Sequence, residues 1–185
     1  MSILTRRKFA LTTLAATTLA ACGNGIGSPG AATIDARVDS TLNGMFNQFP
    51  GTRDLAGKAS GVLVMPLVTE VGLGLGGSFG RGALRVGDST VDYYAAASGS
   101  AGLQIGAQQF SHVLFFMTPE ALSQFRQSQG WAAGADIEYA FRDQSDMLRA
   151  ETTTSLSPVI AVVFGQTGLR LGATLEGTKY TRIIP

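Results

Sequence analysis

The chain holds one cysteine and one histidine in 185 residues, and each scarcity removes a class of chemistry. A lone cysteine, Cys22, allows no internal disulfide, and cysteine-ligated metal sites are excluded with it. A lone histidine, His112, excludes a multi-histidine metal centre. Charged residues make up only 15 % of the chain, and they form no basic stripe of the kind a nucleic-acid binder carries. The uncharged run of Leu, Ala and Thr over residues 11–21 is about half the roughly 20 residues that a membrane-spanning helix needs.

What is present begins with three successive N-terminal segments. Arg6-Arg7-Lys8 precedes an uncharged run of Leu, Ala and Thr that closes with Leu19-Ala20-Ala21-Cys22. A basic start, a short apolar core and small residues at the end describe a secretory signal over residues 1–21. Leu-Ala-Ala-Cys resembles a bacterial lipobox, which implies cleavage before Cys22, diacylglycerol on its sulfur and acylation (as by palmitate) of the new amino group. The twin arginine resembles a Tat signal, with Sec export as the alternative. Gly23, rather than Asp, follows the cysteine, so the expected location is the cell envelope, at the outer membrane. Loss of Arg6, Arg7 and Lys8 lowers the basic count from 14 to 11 against 13 acids, a net charge near −2.

Residues 22–32 are rich in Gly, Ala and Ser and read as a flexible tether. Over 33–49, Ile34, Val38, Leu42, Met45, Phe46 and Phe49 recur at three- and four-residue spacing, one face of an amphipathic helix. That face either packs on the domain core or lies on a membrane, although only one cation marks its polar side. After Pro50 the pattern turns to short strands, with Gly80-Arg81-Gly82 and Gly87-Asp88-Ser89 read as turns. Thr118-Pro119-Glu120 opens a second helix near 118–129. A strand over 135–142, a polar loop over 143–157 and a closing meander follow. About eight to ten short strands and two helices define an α+β class. It is a single domain over 33–185, with an antiparallel, strongly curled or barrel-like sheet. Glycines 72, 74 and 76 share a strand face and imply close packing against it.

No constellation supports catalysis. Gly72 to Gly77 nominally satisfies the dinucleotide-binding spacing, but no helix start follows it. His112 reads as a structural strand residue, and Asp88 and Asp92 read as solvated turn residues. Neither an enzyme nor a cofactor is expected.

Several blocks in order resemble the SYLF lipid-binding domain over about residues 34–185. They include Gly61-Val62-Leu63-Val64-Met65-Pro66, Phe79-Gly80-Arg81-Gly82, Val91-Asp92-Tyr93-Tyr94, Gly102-Leu103-Gln104-Ile105-Gly106, Gln129-Gly130-Trp131 and Leu175-Glu176-Gly177-Thr178. The resemblance implies non-catalytic binding of anionic lipid. Phosphatidic acid, phosphatidylglycerol, cardiolipin or lipid A would be the ligands in a bacterial envelope. Headgroup phosphate needs cations or free backbone N–H groups, and the candidates are Lys58, Arg81, Arg85, Lys179 and Arg182. The alternative is a structural or protein-interaction module whose membrane affinity comes only from the Cys22 anchor.

Overall fold

The computed structural model describes residues 28–134, 137–139, 157–165, 168–169, 175 and 177–185. The export signal, Cys22, all but the last residue of the loop over 143–157 and most of the stretch over 169–175 lie outside them.

Helix α1 spans Pro29–Gln48, and it starts four residues before the expected position, inside the segment read as tether. The reason is a cap. Ser28 Oγ accepts the Ala31 N–H at 3.2 Å, Pro29 occupies the first turn, and the same hydroxyl donates to the Pro185 carbonyl at 2.9 Å. The first helical turn is thereby fixed to the chain's last residue. A short helix α2, Gly51–Lys58, follows where only strand was expected. Its single buried residue, Thr52, gave no apolar period to read.

Two strands of unusual length replace the expected series of short ones: β1, Gly61–Val86, and β2, Ser89–Phe116. They pair antiparallel along their whole length, joined at Gly87, whose φ of 56° suits a residue without a Cβ. Gly80-Arg81-Gly82 is therefore strand and not a turn. Helix α3 is Pro119–Gln127, capped by Thr118 Oγ1 as expected. The remaining strands are β3 (Trp131–Ala132), β4 (Ile137–Tyr139), β5 (Val159–Gly165), β6 (Gly168–Leu169) and β7 (Lys179–Ile183).

All seven described strands form one sheet in the order β3-β7-β2-β5-β4, with β1 on the other edge of β2 and β6 beside β5. Only the β4–β5 pair is parallel. β7 joins the first limb of β2, at Tyr93 to Ala97, and β5 joins its last limb, at Ser111 to Phe116. The long hairpin bends between these limbs, where glycines face each other across the ladder at Gly72/Gly106 and Gly77/Gly99. Register shifts fall between Met65 and Val68 and between Leu73 and Leu75, and such irregularities increase coiling.

The bend brings the two limbs of β1 together. A Cβ on Gly82 would lie 1.9 Å from the Val64 carbonyl oxygen, and one on Gly80 would lie 2.7 Å from that of Leu67. Close packing against strand glycines thus occurs at Gly80 and Gly82. The result is an α+β half-barrel in one domain.

The curled sheet has two apolar layers. Its inner face holds Leu63, Met65, Leu84, Tyr94, Leu114, Phe116 and Tyr180 around Phe125 of α3. Phe125 lies 4.7 Å from both Tyr94 and Phe116 and 5.4 Å from Trp131, ring to ring. The outer face holds Val62, Val64, Ala83, Tyr93, Val113, Phe115 and Ile160, covered by Ile34, Val38, Met45 and Phe49 of α1. The amphipathic stripe thus packs on the domain core. Among the described residues no helix is long and apolar enough to cross a membrane.

Candidate functional site

Strand register assembles the site. On the outer face Ala83, Tyr93 and Ile183 form one row across β1, β2 and β7, and all three pack into the layer under α1. The next two rows, Arg81–Ala95–Thr181 and Phe79–Ala97–Lys179, have the same parity and point the same way. Both run past the helix. Arg81, Thr181, Ala97 and Lys179 are exposed, and the Phe79 side chain, which a core position would bury, is 53 % exposed. Ideal strand spacing puts the Arg81 and Lys179 Cα atoms about 12 Å apart. Small residues lie between them, so the surface is flat, apolar in the middle and cationic at two points. Neither cation has an ion-pair partner among the described residues.

Two of the five candidate cations therefore meet, and the other three do not join them. Arg85 is engaged: Nη2 donates to Asp39 Oδ1 at 2.6 Å and lies 3.8 Å from Asp35 Oδ1, while Nη1 donates to the Asp88 carbonyl at 3.0 Å. Asp35 is itself a clamp, accepting from the Thr90 hydroxyl and the Tyr93 phenol, each at 2.7 Å. Burial, and then that hydrogen bond, push the Tyr93 phenol up to about 12. These contacts fasten α1 to the hairpin. Lys58 stands apart at the end of α2.

Arg182 belongs to a separate cluster. Its Nε lies 3.3 Å from Asp92 Oδ1, Arg126 Nε donates to Asp92 Oδ2 at 3.0 Å, and Arg182 Nη2 donates to the Arg126 carbonyl at 3.0 Å. Asp92 is thus no solvated turn residue, since its side chain is only 12 % exposed beneath two guanidinium groups. Sequence reasoning missed Asp35, Asp39 and Arg126. Asp35 and Asp39, one turn apart on the polar face of α1, were the available signal for the first pair.

The motifs set aside in the sequence are structural. Gly72 to Gly77 runs through the middle of β1 with no helix after it, so the dinucleotide spacing has no phosphate-binding geometry. His112 is buried in the inner layer, where Nε2 and the Tyr180 hydroxyl are 2.8 Å apart. Burial pushes its imidazole down to about 3, which keeps it neutral.

A half-barrel with one open, cation-flanked sheet face defines a domain built to present a surface. Residues 97–182 match the family model described as Ysc84, Las17-binding protein actin regulator, the SYLF-type family that the sequence blocks resemble. No curated protein matches the chain. The family description names Las17 binding and actin regulation.

Proposed function

We propose that the domain binds anionic membrane lipid through the open face of β1, β2 and β7, without catalysis, while a lipid on Cys22 holds it at the bacterial envelope. The observation that carries this reading is the exposed Phe79 between Arg81 and Lys179 on strand rows that α1 leaves uncovered. The magnitudes explain why an anchor is needed. Burying the exposed half of a Phe, about 100 Å², contributes about 2.5 kcal/mol. Each cation near an anionic surface adds about 1 kcal/mol. The total, about 4–5 kcal/mol before ordering costs, corresponds to a dissociation constant near 1 mM. Five residues lie between Cys22 and Ser28, so the two are at most about 22 Å apart along the chain. A tether that short holds the face at an effective concentration in the millimolar range or above, enough to engage it.

Flotation of residues 22–185 carrying Cys22→Ser tests the reading. Weak, salt-sensitive binding to phosphatidylglycerol vesicles and none to phosphatidylcholine is expected. Equally poor binding to both would refute it. That result would favour a protein-interaction module, the reading nearest the family description.

A further inference from the structure

The Arg126–Asp92–Arg182 cluster opens on a cleft of about 510 Å³ that the outer-face reading does not use. Both arginines line it, together with Pro119 and Leu122 on the apolar side and Ser60 and Ser123 on the polar side. Asp92 spends its two oxygens on the two Nε groups, and Arg182 spends one Nη2 bond on the Arg126 carbonyl. Both Nη groups of Arg126 then have no partner among the described residues, while the Arg182 guanidinium also interacts with the Tyr94 phenol. Arg126 and Arg182 are 42 % and 50 % exposed, whereas the carboxylate beneath them is mostly buried. One acid against two guanidinium groups leaves the cluster one positive charge in excess. The carboxylate also pre-orders both forks, so less side-chain freedom is lost when a ligand arrives.

We propose that this cleft is a binding site for one phosphate ester. The paired guanidinium forks would take the phosphate oxygens, and Leu122 and Pro119 would take an apolar portion beside it. The site differs from the open sheet face in kind, because it holds a single headgroup in a pocket and not a bilayer surface. It rests on the lipid-binding reading only for the source of the phosphate. Arg182 lies three residues before Pro185, the partner of the Ser28 cap through which the Cys22 tether enters, so a lipid headgroup is within reach.

Native mass spectrometry of the full chain in non-ionic detergent tests the proposal. Phosphatidic acid, phosphatidylcholine and inorganic phosphate would be titrated separately. One phosphatidic acid per chain is expected, bound about 10-fold or more tightly than phosphatidylcholine. Arg126→Gln and Arg182→Gln should each weaken it about 10- to 100-fold, as loss of a charge-assisted hydrogen bond implies. Arg126→Lys, which keeps the charge but not the fork, should fall between. Phosphatidic acid binding above inorganic phosphate assigns a lipid headgroup, and equal binding assigns a soluble phosphate ester; both support the pocket. Wild-type affinity in both glutamine variants, with circular dichroism showing them folded, would overturn it. Loss on Arg81→Gln but not on Arg126→Gln would also overturn the pocket while leaving the sheet-face reading intact.

Discussion

Replacing Gly82 by alanine adds a single methyl group, and the structure makes that group decisive. The new Cβ would lie 1.9 Å from the Val64 carbonyl oxygen, 2.6 Å from Met65 Sδ and 2.9 Å from the Val64 carbonyl carbon. Real Cβ atoms essentially never come within 3.0 Å of another heavy atom, so the two limbs of β1 must part by about 1.1 Å. The partner is backbone in a paired strand whose neighbours, Leu63 and Met65, are fully buried, so no side chain can turn aside. Overpacking costs about 1–3 kcal/mol where side chains can adjust, and about 3 kcal/mol or more is expected here. For a domain of this size that lowers Tm by roughly 6–12 °C. Gly80→Ala, whose Cβ would meet Leu67 O and Val68 Cγ2 at 2.7 Å, should cost less. Gly44→Ala, in α1 with nothing within 4 Å, should stabilise by about 0.5–1 kcal/mol. Thermal and urea unfolding followed by far-ultraviolet circular dichroism would rank the three. Stability of Gly82→Ala within 1 kcal/mol of the wild type would refute the limb crossing.

His112 should make the fold acid-sensitive. Its folded pKa of about 3 lies below the unfolded value of 6.5, so between these values the unfolded chain binds the extra proton. Stability therefore falls as pH drops through that window, by up to about 1.4 kcal/mol per pH unit from this residue. His112→Gln should remove that part of the slope in urea titrations between pH 6 and pH 4; an unchanged slope would contradict it. Asp35→Ala strands the Thr90 and Tyr93 hydroxyls and should cost about 2–3 kcal/mol, whereas Asp39→Ala, at a carboxylate that is itself 60 % exposed, should cost less than about 1 kcal/mol. Asp35→Asn should also bring the Tyr93 ionisation down from about 12, read by spectrophotometric titration.

Features with a local cause were legible in the sequence. The stripe of Ile34, Val38, Met45 and Phe49 gave α1 and its buried face, and Thr118-Pro119 gave the start of α3. Gly87 gave the hairpin turn, where a positive φ is needed. Features set by distant partners were not. Gly80 and Gly82 look like turn residues until the other limb of β1 lies against them. The same blindness split two long strands into many short ones. Arginines behaved alike: Arg81 and Arg85 sit four apart on one strand face, yet Asp39, 46 residues away, engages only Arg85. Asp92 is paired by residues 34 positions along in α3 and in the final strand. Charge type was readable from sequence, but charge availability depends on tertiary neighbours.

Which face meets lipid is the central claim, and depth-dependent fluorescence quenching tests it most directly. A thiol-reactive fluorophore would be placed on Ala97→Cys, between Phe79 and Lys179, or on Asn43→Cys, on the exposed side of α1. Both would be made in residues 22–185 with Cys22→Ser and mixed with phosphatidylglycerol vesicles carrying a lipid-borne quencher. Strong quenching at position 97, little at position 43, and loss of the difference in Arg81→Gln/Lys179→Gln is the predicted result. Quenching at position 43 with position 97 unaffected would show that the helix, and not the open sheet face, lies against the membrane.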